Sequence, residues 1–148
     1  MRRMDKVDLQ LIKILSQNSR LTYRELAEML GTTRQRVARK VDKLKKLGII
    51  RKFTIIPNLE KLNYMYAILL IKVKATENIY QVAKVLKDHE DVKILELGVG
   101  KYNIIAHVLV PKDIKKAQEK VNDVIKEING IEDLEVEFVS DIPKFELL

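Results

Sequence analysis

Cysteine is absent from the 148 residues, so the chain has no disulfide framework and no thiolate chemistry. There are two histidines, His89 and His107, and neither stands in a spacing of convergent metal ligands. Five glycines and three prolines are too few for a low-complexity tract. No glycine-rich nucleotide loop, nucleophile elbow or triad spacing is present, which argues against common enzyme classes. No run of about 18 apolar residues exists, so no membrane span is expected. The start, Met1-Arg2-Arg3-Met4-Asp5, is basic but lacks the apolar stretch of a signal peptide, and a cytoplasmic location is expected. No internal repeat is visible.

Charge is present in quantity and unevenly spread. Residues 1–63 hold 16 Lys/Arg and 6 Asp/Glu, a net +10. Residues 64–148 hold 12 and 15, a net −3. The overall +7 is thus a basic N-terminal module joined to a mildly acidic one.

The basic module reads as three helices. The first is expected over Lys6–Gln17, with Asp5 as N-cap and Asp8 near the positive end of the helix. Val7, Leu11, Ile14 and Leu15 share its apolar face. Thr22 and Glu25 form a capping box for a second helix, whose inner face is Leu26, Ala27 and Leu30. Gly31 supplies the turn, where a positive φ costs a glycine little. Thr32 or Thr33 caps a third helix that runs to Leu47, and Gly48 follows it.

This is the pattern of a helix-turn-helix whose last helix reads DNA. At about 100° per residue, Val41 and Leu44 fall within about 40° of Val37 and define its buried face. Gln35 and Arg39 lie at the opposite pole, with Arg36 beside it. Arg can grip a guanine edge and Gln an adenine edge. Lys40 and Lys43 are expected to meet phosphates, with Thr33, Arg34 and the free N–H groups of the helix start. Thr22, Tyr23 and Arg24 are candidates for the backbone on the crossing side. A solvated basic helix is the plainer reading. Asp42 is, however, the single acid between Arg34 and Lys46, and two caps and a glycine turn precede the run.

Arg51–Pro57 reads as a strand, and residues 58–63 as a connection. Residues 64–148 then read as βαββαβ, a ferredoxin-like order. The strands are expected over Tyr66–Ala75, Val92–Val99, Tyr102–Val110 and Leu134–Ser140, and the helices over Glu77–Asp88 and Asp113–Ile128. The fold class is α+β, divided as 1–50 head, 51–63 linker and 64–148 assembly module. Strands this rich in Ile, Leu and Val need more cover than one layer of helices. Pairing two sheets face to face provides it, and sets two heads on one duplex as a homodimer. Gly98-Val99-Gly100-Lys101-Tyr102-Asn103 is the best small-ligand segment, because glycines admit a ligand to backbone N–H groups. A plain β-turn is the alternative.

The chain resembles the Lrp/AsnC family of prokaryotic transcription regulators over roughly Met4–Leu147. The residues that carry the resemblance are Asp5-Lys6-Val7-Asp8, Asn18-Ser19-Arg20-Leu21-Thr22, Glu25-Leu26-Ala27, Val37-Ala38-Arg39-Lys40-Val41, Leu47-Gly48-Ile49-Ile50-Arg51 and Gly100-Lys101-Tyr102-Asn103. The resemblance implies a winged or simple helix-turn-helix, double-stranded DNA as partner, and dimers that often gather four at a time into octamers. It also implies no resident cofactor, and an amino acid or other small effector bound near Gly98, Gly100, Tyr102 and Asn103. Family members often carry Asp where this chain has Asn103, and a neutral Asn cannot supply that charge to an α-ammonium group. Two other readings stand beside it. One is an architectural DNA-binding protein with little sequence preference. The other is an enzyme like the siroheme decarboxylases, which resemble this family in architecture but do not need a basic reading helix.

Overall fold

The computed structural model describes residues 4–148. They fall into two compact units, one running to Ile56 and taking in Lys144–Leu148, the other spanning Pro57–Pro143. The last five residues thus cluster with the helical unit, where the sequence assigned them to the second module.

The helical unit holds α1 (Lys6–Gln17), α2 (Tyr23–Leu30) and α3 (Arg34–Lys46). Its helix starts follow local chemistry. The Asp5 side chain accepts from Asp8 N–H at 2.8 Å and the Asp8 carboxylate accepts from Asp5 N–H at 3.0 Å, a reciprocal capping box. Thr22 and Glu25 make the same exchange at α2. Thr33 accepts from Arg36 N–H and caps α3. Gly31 takes φ +64° in the turn between α2 and α3, a left-handed conformation that a side chain would strain. Leu11, Leu26, Ala27, Val37, Val41 and Leu44 form the core.

Arg51–Pro57 is not a strand. The segment carries no regular secondary structure and no backbone–backbone hydrogen bond among the described residues. Its β-branched residues favour extension, but a strand also needs a partner, and none lies beside it. Phe53, Ile55 and Ile56 stay exposed. With Ile12, Leu15, Ile49, Ile50 and Leu147 they line a groove of about 510 Å³ in this unit. Residues 58–63, read as a plain connection, include a 3-10 turn at Glu60–Leu62.

The second unit is one antiparallel sheet in the order β2-β3-β1-β4 with two helices. Its elements are β1 (Tyr64–Val73), α4 (Ile79–Asp88), β2 (Val92–Leu97), β3 (Ile104–Pro111), α5 (Ile114–Ile125) and β4 (Ile131–Phe138). The expected βαββαβ order holds, while the strand ends shift by up to three residues. The largest shifts are in β4 and β1, which pair from Ala67↔Phe138 to Val73↔Ile131 around a bulge at Lys72/Val73. Helices α4 and α5 cover one face. Beneath them lie Ala67, Leu69, Ile71, Ile104, Ala106 and Val108, all fully buried.

Among the described residues, neither helix of this unit covers the other face. Tyr66, Ile68 and Leu70 on β1 sit opposite Leu109, His107 and Ile105 on β3. All six are only half-buried. Glu137 and Glu135 of β4 flank Ile68 and Leu70, and Glu96 of β2 flanks Ile105. The open face is therefore an apolar stripe with acidic margins.

Candidate nucleic-acid interface and effector loop

Helix α3 turns two unlike sides outward and inward. Val37, Val41 and Leu44 are buried on one. Gln35 and Arg39 are exposed on the other, Arg36 and the first helical residue Arg34 are exposed near them, and the three arginines have no ion-pair partner among the described residues. These four come together in the N-terminal half of α3, the part such a helix presents to base edges. Thr33 caps the helix beside them, with its hydroxyl already bonded to Arg36 N–H at 3.2 Å. The N–H groups at this end remain donors for an anion. On α2, Thr22, Tyr23 and Arg24 are exposed. Thr22 is held in its own capping box, and Arg24 lies 3.7 Å from Glu28 in a loose surface pair.

Lys40 is placed elsewhere, and its expected phosphate contact is corrected. Its side chain is 9% exposed, and its ammonium sits 2.7 Å from Asp5 Oδ2 and 3.1 Å from Asp8 Oδ1. Lys43 is half withdrawn as well, 27% exposed and 2.7 Å from Asp8 Oδ2. Asp8 itself is fully buried. The hydrogen bond from Lys40 is the main reason the Asp5 carboxyl is lowered to about 2. Burial works to raise Asp8, but Lys43, the Asp5 N–H and Lys40 together outweigh it and the net direction is down. Burial likewise works to lower Lys40, and the two carboxylates override it, so its pKa is raised. The sequence held the signal. Asp8 lies on the same α1 stripe as Leu11, and Lys40 falls about 60° from Val37 on the helical wheel.

The loop between β2 and β3 holds the effector candidates. Gly98 and Gly100 are exposed, and Val99 between them is fully open to solvent. Asn103 is committed to the backbone. Its Oδ1 accepts from Val73 N–H at 3.0 Å, its N–H donates to Ile71 O at 2.9 Å, and its O accepts from Gly98 N–H at 3.1 Å. These bonds fasten the loop to the end of β1. Tyr102 differs: its hydroxyl is buried and, although Glu135 and Lys101 stand close by, it has no well-formed hydrogen bond among the described residues. Burial of the phenol and the neighbouring Glu135 raise its pKa, against the pull of Lys101. The Lys101 ammonium stands 5.3 Å from the Tyr102 ring centroid.

The head, residues 4–51, matches the family model described as winged helix-turn-helix DNA-binding. The uncharacterized HTH-type transcriptional regulator PH0061 of Pyrococcus horikoshii is 57% identical over 148 residues, covering 100% of both chains. Its crystal structure superposes with a TM-score of 0.95 over 100% of each chain. The HTH-type transcriptional regulator LrpA of Pyrococcus abyssi is 32% identical over 127 residues, 86% of this chain and 89% of that one. The chain belongs to the Lrp/AsnC family of transcriptional regulators. It is therefore a helix-turn-helix transcriptional regulator, and its partner is DNA. The fold extends to the transcriptional regulator NMB0573/L-Met complex of Neisseria meningitidis, 20% identical with a TM-score of 0.81 over 97% of this chain and 94% of that one. No helix among the described residues is long and apolar enough to cross a membrane.

Proposed function

We propose that this regulator reads DNA through Gln35, Arg36 and Arg39 at base edges. Thr33, Arg34, Thr22, Tyr23, Arg24 and the start of α3 position it on phosphate. The observation that carries this reading is the exposed cationic pole of α3, unpaired among the described residues and opposite a buried apolar side. A basic surface of this kind on the second helix of a capped helix-turn-helix fits a major groove.

Two copies pair through the open sheet face. Its half-buried stripe of Tyr66, Ile68, Leu70, Ile105 and Leu109 supports this, because a second sheet would complete the cover that α4 and α5 give the first face. The partnerless segment Arg51–Pro57 is a second edge that another copy can satisfy. The family resemblance extends the homodimer to an octamer of four dimers. The work is done in the cytoplasm, by binding and without catalysis.

A small effector occupies the loop at Gly98, Gly100, Tyr102 and Asn103. The uncommitted Tyr102 hydroxyl and the Lys101 ammonium suit a carboxylate or another acceptor. The L-Met held by the Neisseria neighbour supports an amino acid as the class. Asn103 lacks the charge to pair with an α-ammonium group, so affinity for free amino acids is weak in this chain. No resident cofactor enters this reading.

Fluorescence anisotropy over a range of salt tests the function, with the duplex upstream of the protein's own gene and a scrambled copy. A preference of about 10³-fold or more is the expected result. Equal and steeply salt-dependent binding to both would favour an architectural protein.

A further inference from the structure

Four charged groups between α1 and α3 close on themselves. Asp8 contributes both carboxylate oxygens, one to Lys40 at 3.1 Å and one to Lys43 at 2.7 Å. It cannot follow either lysine outward. Its Oδ2 also accepts from Asp5 N–H at 3.0 Å, and its own N–H donates to Asp5 Oδ1 at 2.8 Å. Asp5 adds a second contact to Lys40 at 2.7 Å. Two carboxylates and two ammonium groups thus cancel, and the capping box of α1 doubles as the anchor of α3.

We propose that Asp8 is a specificity-determining residue, which withholds the Lys40 and Lys43 ammonium groups from DNA phosphate and so limits sequence-blind attraction to the reading helix. This rests on α3 being the element that meets DNA. Non-specific affinity comes from phosphates neutralised by free cations, at about 0.9 in the slope of log K against log salt for each contact. A lysine bound to Asp8 joins that count only by taking from a fully buried carboxylate one of its two cationic partners, which is costly. Lys46 makes a useful contrast. It pairs with Asp42 at 2.8 Å, but both side chains are more than half exposed, and such a surface pair yields readily. Among the described residues, the α3 cations available to phosphate are therefore Arg34, Arg36, Arg39 and Lys45, with Lys46 once its surface pair yields. Sequence discrimination then falls to the arginines and Gln35, undiluted by two more point charges.

The test uses the full chain and a random-sequence duplex, with anisotropy read at several salt concentrations. A random duplex offers these arginines no matching base edge and leaves them on phosphate, so Arg39→Ala and Arg36→Ala are each expected to flatten the slope by about 0.9 for each head engaged. Lys43→Gln, which keeps a donor for Asp8, is expected to leave the slope unchanged. Asp8→Asn is expected to release Lys43, since Asp5 still holds Lys40 at 2.7 Å, and so to steepen the slope by about 0.9 per head and tighten binding to the random duplex. A purely structural role for Asp8 would weaken binding instead. Thermal unfolding checks that each variant is folded. If Asp8→Asn does not fold, the contrast between Lys43→Gln and Arg39→Ala still decides. A loss of slope in Lys43→Gln equal to that in Arg39→Ala overturns the proposal. No change in any of the α3 variants removes α3 from the DNA, and overturns the proposal together with the reading beneath it.

Discussion

The two units solve opposite problems. The helical head finishes its own polar accounts: each helix start is capped, and its buried acid Asp8 is neutralised by two lysines. What it leaves open is a charged surface with a complementary partner in DNA. The sheet unit finishes only one side. Ala67, Leu69 and Ile71 vanish under α4 and α5, while Ile68 and Leu70, their alternating neighbours on the same strand, have no helix over them. An unpaired cation costs little in water, whereas an apolar stripe is steadily driven to find cover. The head can thus be understood from one chain, whereas the sheet leaves a face that the proposed second copy would cover.

The sharpest way to break that comparison is to charge the open face. Ile68→Arg with Leu109→Arg should turn the proposed dimer into a monomer, as read by sedimentation, without unfolding the sheet. Loss of the second head should then weaken operator binding by about 10²–10⁴-fold, the range that linking two sites typically contributes. A double variant that remains dimeric would move the interface elsewhere, with the Arg51–Pro57 segment next in line.

On the head, Arg39→Ala should cost about 1–3 kcal/mol of discrimination between operator and scrambled duplex. It should do so with the fold intact, because the side chain is exposed and has no ion-pair partner among the described residues. Competition anisotropy with both duplexes measures it. Equal losses on both would assign Arg39 to phosphate.

These two units were not equally legible in the sequence. Helix starts were readable because a cap is local: Asp5, Thr22 and Thr33 meet N–H groups three residues away. Strand limits were less readable because they depend on a distant partner. β4 begins at Ile131 rather than Leu134 since Val73 is there to pair with it. Arg51–Pro57 has the composition of a strand and no ladder, for the same reason. At the site, the exposed pole of Gln35 and Arg39, with Arg36 beside it, followed from helical periodicity. Lys40 did not, because residue type assigned it to solvent while its place on the wheel, near Val37, pointed inward. The commitment of Asn103 to Val73 N–H was out of reach, since 30 residues separate the two.

Acid should separate the units more gently. The Asp5 carboxyl is lowered to about 2, so its contribution is in place above the ordinary carboxylate pKa of about 3.9. It is lost as pH falls through about 2. Asp8 shifts in the same direction. The head should therefore weaken from about pH 4 downward, and Asp5→Asn should flatten that dependence while leaving the sheet's transition unmoved. Circular dichroism at a series of pH values reads both. An Asp5→Asn head as acid-sensitive as the parent would remove Asp5 from the account.

The smallest expected effect lies in the loop. Asn103→Asp keeps an oxygen for Val73 N–H, which now bonds at 3.0 Å, and replaces the amide nitrogen with a second, charged oxygen. That oxygen is free to meet an α-ammonium group, and a charge-assisted bond is the stronger kind. A gain of about tenfold in amino-acid affinity, roughly 1.4 kcal/mol, is expected in calorimetry. The gain should vanish when Tyr102→Phe is added, because the phenol hydroxyl is then no longer there to hold the carboxylate end. A gain that survives Tyr102→Phe would keep the loop as the site and remove Tyr102 from it. No binding by either variant across a full amino-acid panel would detach the loop from amino acids. Gly98 and Gly100 would then serve the turn between β2 and β3 alone, and the sheet unit's open business would be its uncovered face.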